Sequence, residues 1–439
     1  MPRIVHLGFG NFHRAHQAWY TQLSNDLGGT QWAITGVSMS RPDLRDALSP
    51  DGFSYSLGLR GVDGLRVQAI TVHDRLLVAR EDPQSVIREI AEPETKILSL
   101  TVTEKGYGLN ADGRLKLDDP VIQTDLNSDS PKSSVGILAH GLKLRSKINE
   151  PITVMSCDNL SGNGQLLRQA VMDFAQAAGW NMSEYLESRV TFPDTMVDRI
   201  TPATTDMTRE EIADVTGRRE PVPVITETFS EWVIEDHFAA GRPDWDAVGA
   251  VFSKEVAPFE ARKLRLLNAS HSLLAYGGVL RGHDFVHEAI SDPVLRDHVE
   301  SLWAEAIETL PVSIQESCKA YCDALVARFE VPAIRHELRQ IAADGTLKLP
   351  VRIFGTATDR KSAGSESSAL SLAVGSWLAF CHKNAITADP RANEINALLF
   401  KREPEQGLYR KVLRDMNWVG TCPFEAQELV ESAQSWLHA

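Results

Sequence analysis

The chain begins with a short apolar run, residues 3–7, that ends in glycine. Helical signs follow to about Ser24, then a second apolar run at 32–37 and a helical turn over 43–48. Strand character returns at 67–78, a helix is expected over 83–92, and 96–102 reads as a strand. A polar loop at 115–120, a helix over 134–148 and a strand over 152–156 continue the series. Short apolar strands alternating with helical segments predict an α/β fold with a parallel sheet and crossover connections. Beyond about residue 220 helical periodicity dominates, at 230–238, 256–280, 284–307, 314–329, 334–343, 364–382, 390–400 and 423–437. The segment 216–223 carries two prolines and a glycine and reads as the connection. Two domains are therefore expected, an α/β domain over 1–217 and a mostly α-helical domain over 218–439.

Composition narrows the functional classes. The 439 residues hold 45 Lys and Arg against 59 Asp and Glu, a net charge of −14. That balance argues against nucleic acid or an anionic membrane as a partner. No run of about 18 apolar residues is present, and the N-terminus lacks a leader pattern. Five scattered cysteines fit a reducing compartment, so a cytoplasmic protein is expected. Cys318 and Cys322, at helical spacing without further ligands, are expected to be packed thiols.

The first strand leads into Gly8-Phe-Gly10-Asn11-Phe12-His13. This is Gly-x-Gly-x-x-His, a dinucleotide fingerprint with histidine in place of the third glycine. The first glycine permits a tight turn, and the second lets the backbone approach a pyrophosphate. The reading is a Rossmann-type dinucleotide-binding domain with Gly8, Gly10, Asn11 and Phe12 at the cofactor. His13 and His16 are expected at the surface or as caps. Cofactor choice is read after the second strand, where Asp43 suits ribose hydroxyls and Arg41 suits a 2′-phosphate. NAD is favoured and NADP is not excluded.

The chemical residues lie elsewhere. Lys263-Leu-Arg-Leu-Leu-Asn268-Ala-Ser-His271, preceded by Glu260, puts polar groups into a leucine-rich helix. At about 100° per residue, Glu260, Asn268 and His271 project within roughly 140° of Lys263. Hydride transfer between a secondary alcohol and a ketone needs a base and donors to the developing alkoxide. Lys263 serves as the base if its pKa is drawn toward about 7–8. Asn268 and Asn159, the latter at a strand end, supply amide donors, and His271 orients the hydroxyl. Asp198 in a proline-flanked run reads equally as a site residue or as a salt-bridge partner of Arg199. No metal is expected, and the His283–His287 spacing is taken as structural.

Several motifs in order resemble the mannitol dehydrogenase family of long-chain, metal-independent polyol and uronate oxidoreductases. They are the Gly8–His16 segment, Thr103-Glu104-Lys-Gly-Tyr107, Ser156-Cys-Asp-Asn-Leu160, Met196-Val-Asp-Arg-Ile-Thr-Pro202, Trp232-Val-Ile-Glu-Asp236 and the Lys263–His271 helix. The resemblance implies a Rossmann-type domain and a mostly helical C-terminal domain with substrate between them. It implies catalytic roles for Lys263, Asn268, His271 and Asn159, site roles for Asp198 and Glu260, and cofactor contacts at Thr103 and Glu104. The stretch Arg335–Arg352 is similar to fructuronate reductases (D-mannonate oxidoreductases). Mannitol 2-dehydrogenases tend to carry an arginine eight residues before the residue matching Lys348, where this chain has Gln340. His336, Lys348 and Arg352 suit a substrate carboxylate or hydroxyls. The expected activity is interconversion of a keto-hexuronate and its aldonate, D-fructuronate and D-mannonate foremost. A polyol dehydrogenase and a catalytically silent nucleotide-binding regulator are the alternatives. The expected partner is a small sugar acid or polyol, and the expected state is a monomer or weak homo-oligomer.

Overall fold

A computed structural model describes residues 1–438. The chain divides into two compact units, Met1–Ala257 and Pro258–Ala439.

The strands of the first unit are β1 (Arg3–Leu7), β2 (Ala33–Ser38), β3 (Tyr55–Gly61), β4 (Gly64–Ile70), β5 (His73–Val78) and β6 (Thr95–Leu100). After them come β7 (Ile152–Ser156), β8 (Val190–Thr191), β9 (Thr195–Asp198), β10 (Val224–Glu227), β11 (Glu231–Glu235) and β12 (Val251–Ser253). Six of them form a parallel sheet in the order β5-β2-β1-β6-β7-β8. Both faces are covered, which is why these strands read as continuous apolar runs. Successive residues of β1 serve opposite faces, as the pleat requires. Ile4 joins Trp32, Ile34 and Ile97 on one side, while Val5 and Leu7 join Val37, Leu98 and Leu100 on the other. Helices Pro83–Ala91, Ser134–Ser146 and Asn163–Ala177 cover the second face.

The first face is covered differently, and here the sequence reading needs correction. Residues 230–238 are not a helix. They hold β11, paired antiparallel with β9 and parallel with β12. Trp232, Val233 and Ile234 are all fully buried, and such β-branched and aromatic runs fit a pleated surface. Trp232 stacks among Trp245, Tyr20 and His16, with ring centroids 4.6–5.2 Å apart. A second small sheet has the order β10-β3-β4. Because β10 pairs with β3 and β11 with β9, the chain beyond 217 is still part of the first unit. The division thus falls at 257/258, not at 217/218, and 216–223 is an internal loop. The strand expected at 67–78 is two strands, β4 and β5, broken at residues 71 and 72.

The second unit is helical. Ala269–Leu280 is its central helix, with ten consecutive buried residues from Ala269 to Gly278. It packs against Ser368–Lys383, Pro293–Ile307 and Leu338–Ile341. The expected helix at 334–343 is shorter, a 3-10 turn at Pro332–Ile334 and one α-turn at Leu338–Ile341. Among the described residues no helix is long and apolar enough to cross a membrane.

Candidate active site

In the first unit the chain order reverses between β1 and β6, and ligands of open α/β sheets bind at such a switch point. Gly8 and Phe9 follow β1, and both backbone N–H groups donate to Val37 O, at 2.9 and 3.0 Å. Gly8 has φ +100°, and a Cβ there would lie 2.0 Å from the Thr101 carbonyl oxygen. Only glycine fits this turn, which keeps the backbone bare for a pyrophosphate. Asn11 starts a short helix, Asn11–Ala15. Its amide donates to Pro202 O and Thr204 Oγ1, both at 3.1 Å, so it braces a loop as well. Asp43 is the exposed first residue of the helix Asp43–Leu48, beyond β2. Thr103 and Glu104 are exposed at the end of β6, and Asn159 is exposed three residues beyond β7. Asp198 is buried at the end of β9. Arg199 is not its free partner, since that guanidinium donates to Ala15 O and Glu227 O.

His13 and His16 are fully buried, against the expectation of surface or capping positions. The short helix breaks at His16, which has φ −119° and ψ −92°. His13 stacks on His6 at 3.5 Å between centroids, and its Nε2 lies 3.0 Å from His73 Nε2. The third fingerprint position therefore carries a packed imidazole where glycine would give close helix–strand contact.

In the second unit the Lys263–His271 segment is not one α-helix. Ala257–Arg262 is α-helical, Lys263–Asn268 is a π-helix and Ala269–Leu280 is α-helical again. The Ala269 N–H donates to Leu264 O, five residues back. A π-turn bonds residues five apart and winds less per residue than an α-helix, so the angle from Lys263 to Asn268 along the rod is narrower than an α-helix gives. Such a turn loosens carbonyls, and buried carbonyls need donors. Trp303 Nε1 donates to Leu266 O at 3.0 Å, and Ser270 Oγ donates to the same oxygen at 2.7 Å. Arg352 Nη1 donates to Asn268 O and to Ser272 Oγ, each at 3.1 Å. Arg352 itself sits in a second π-turn, Pro350–Phe354, which packs on the first.

His271 is buried, and its Nε2 has no hydrogen-bond partner among the described residues. Its ring lies 4.9 Å from Phe329 and 5.3 Å from His336. Burial holds the imidazole well below its usual pKa, helped by His336, Arg328, Arg352 and Lys348. His271 is thus neutral at neutral pH and offers one donor and one acceptor. Burial also lowers His336, with Arg328 contributing, and lowers Lys348, with Arg352 contributing. Lys348 Nζ donates to Ile341 O at 3.1 Å. Lys263, Asn268, His271, His336, Lys348 and Arg352 are therefore gathered on adjoining elements of one unit. The sequence reading missed Arg328, a buried cation near the C-terminus of Val312–Phe329. A lone arginine on a long amphipathic helix gives no signal in one dimension.

A nucleotide-ready turn in a doubly wound domain, joined to a helical domain bearing a lysine, an asparagine and a histidine on one rod, defines a dehydrogenase-type oxidoreductase. The chain belongs to the mannitol dehydrogenase family. The descriptions "Mannitol dehydrogenase Rossmann domain" and "Mannitol dehydrogenase C-terminal domain" match residues 2–247 and 255–414. It is 40% identical to an Escherichia coli D-mannonate oxidoreductase over 386 residues, covering 86% of this chain and 79% of that protein. It is 39% identical to a Neosartorya fischeri mannitol 2-dehydrogenase, covering 79% and 72%. The fold matches a Pseudomonas fluorescens mannitol 2-dehydrogenase solved with NAD and D-mannitol, with TM-score 0.81, 33% identity and coverage of 100% and 91%.

Proposed function

We propose that this protein interconverts a keto-hexuronate and its aldonate, D-fructuronate and D-mannonate foremost, using NAD. The observation that carries this reading is the set of basic groups around His271. The His336 ring lies 5.3 Å from that imidazole, Arg328 is buried and Lys348 half-buried on neighbouring elements, and Arg352 braces the same rod through Asn268 O. A neutral polyol gives no return for gathering so much positive charge, whereas a carboxylate does.

The bare Gly8 turn fits a dinucleotide, and Gly8, Gly10, Asn11, Phe12, Thr103 and Glu104 are assigned to hold it, with Asp43 at the ribose. Bound there, NAD supplies the hydride acceptor. Lys263 is assigned to take the hydroxyl proton in oxidation and return it in reduction. Asn268, turned toward Lys263 by the π-turn, donates to the oxygen that gains charge, and Asn159 is assigned the same task. His271 orients a hydroxyl through Nε2. Glu260 is assigned a supporting role one turn before Lys263, and Asp198 one within the first unit.

The similarity to mannitol 2-dehydrogenases favours a second reading, a polyol dehydrogenase. Rates with D-fructuronate and D-fructose, each with NADH, separate the two. The uronate is expected to give the higher kcat/KM. More efficient reduction of fructose overturns the proposal, and NADH binding without turnover of any sugar, polyol or uronate supports a silent regulator instead.

A further inference from the structure

Two loops lie side by side at the C-terminal edge of the main sheet, 101–107 after β6 and 157–162 after β7. Their strands pair in parallel, with Leu100 opposite Ser156. The Asp158 carboxylate ties the loops together. Its Oδ2 accepts the Val102 N–H at 2.9 Å and the Tyr107 hydroxyl at 2.7 Å, and its Oδ1 accepts the Thr103 N–H at 3.0 Å. The Tyr107 hydroxyl also meets Ser156 Oγ at 2.6 Å, and the Asp158 N–H donates to that oxygen at 3.1 Å.

The residue so held has an unusual backbone. Thr103 has φ 65° and ψ 162°, a region that glycine alone occupies readily. Threonine is β-branched, so its Cβ makes the conformation still less favourable. Its N–H is fixed by Asp158 and its carbonyl by the Gly106 N–H at 2.9 Å. Strain of this kind persists only where neighbours over-determine it. Two residues earlier, Thr101 Oγ1 donates to Gly8 O at 2.9 Å, so the strained loop is continuous with the glycine turn. On the other side, Asp158 is the immediate neighbour of Asn159.

We propose that Asp158 is a positioning residue that clamps the strained Thr103 backbone, and so shapes the dinucleotide crevice beside β6 while fixing the base of Asn159. The inference rests on the oxidoreductase reading above. The clamp is a charged acceptor with three donors. Burial pushes the carboxyl above its ordinary pKa, and Val102, Tyr107 and Thr103 oppose that by favouring the anion.

The test is Asp158→Asn in two backgrounds, the native chain and Thr103→Gly, with NADH affinity read by fluorescence titration and turnover read with D-fructuronate. In the native chain Asp158→Asn is expected to weaken NADH binding about tenfold, the scale of releasing one strained residue. In the Thr103→Gly background the same change is expected to cost under about threefold, because glycine enters that conformation with no Cβ strain for the carboxylate to offset. Equal losses in the two backgrounds, or no loss in the native chain, overturn the clamp. Should Asp158→Asn fail to fold, Tyr107→Phe removes one donor from the same carboxylate, and its effect is likewise expected to shrink in the Thr103→Gly background. An equal effect in both overturns the clamp. The titration needs no turnover. A chain that binds NADH but reduces no uronate therefore refutes the substrate reading and leaves the clamp to be judged on binding. A native chain that binds no NADH overturns both.

Discussion

Lys263 and the groups near it illustrate how much one residue type means only in context. The lysine is half-buried and begins a π-turn, so its direction relative to Asn268 is set by the backbone and not by the 100° step. If it is the acid/base group, Lys263→Ala lowers turnover at least about a hundredfold, the scale of lost general-base catalysis, while NADH affinity stays nearly intact. Stopped-flow turnover and fluorescence titration of the same sample check this, and unchanged turnover removes the assignment. Arg328, Lys348 and Arg352 were of unequal legibility. Lys348 and Arg352 lie in a motif-bearing segment, whereas Arg328 becomes visible only when Val312–Phe329 brings it beside His271 and His336.

At the scale of elements, the paired π-turns Lys263–Asn268 and Pro350–Phe354 are the least expected feature. Leucines at helical spacing predict a plain amphipathic helix, and nothing in one dimension marks the extra residue of a π-turn. What stabilises it comes from other elements: the Trp303 indole on Leu266 O and the Arg352 guanidinium on Asn268 O. This separates two roles that the sequence merged. Arg352 spends one donor atom on the Lys263–Leu280 rod, so Arg352→Met is expected to lower kcat about tenfold for fructuronate and fructose alike, the worth of a charge-assisted hydrogen bond. Lys348→Met is expected to raise KM about tenfold for fructuronate with little change for fructose. Steady-state kinetics on both substrates decide, and a loss confined to fructuronate for Arg352→Met assigns that arginine to the carboxylate instead. The strand β11 shows the same limit in reverse. Residues 230–238 look helical by composition, yet Trp232 finds Trp245 and Tyr20 only across the sheet face.

At the scale of the whole molecule, the interior beneath the glycine turn sets a pH dependence. His6, His13 and His73 are fully buried and in mutual contact or hydrogen bonding, with Arg14 close by. Burial lowers His6 and His73 from 6.5 to about 3, and His13 well below its usual value. Above pH 6.5 neither state binds these protons, so the stability contribution is at its full value. Between about pH 6.5 and 3 the unfolded chain takes up protons that the folded chain refuses, and stability falls. Each histidine contributes a slope of up to about 1.4 kcal/mol per pH unit. Urea midpoints measured at pH 7 and pH 5 are expected to drop accordingly, and equal midpoints would contradict neutral buried imidazoles.

The sequence by itself determined the class of fold, the glycine turn and the polar positions of the Lys263–His271 segment. These follow from local rules: apolar periodicity, the tight turn that only Gly8 allows, and residue types whose chemistry is intrinsic. The tertiary structure decided the division at 257/258, the burial of His13 and His16, the π-turn at Lys263, and the packing of His271 against Phe329 and His336. Each depends on pairing or packing between segments far apart in the chain. Strand β10 needs β3, Asn268 O needs Arg352, and Thr103 needs Asp158. No window of neighbouring residues contains both partners.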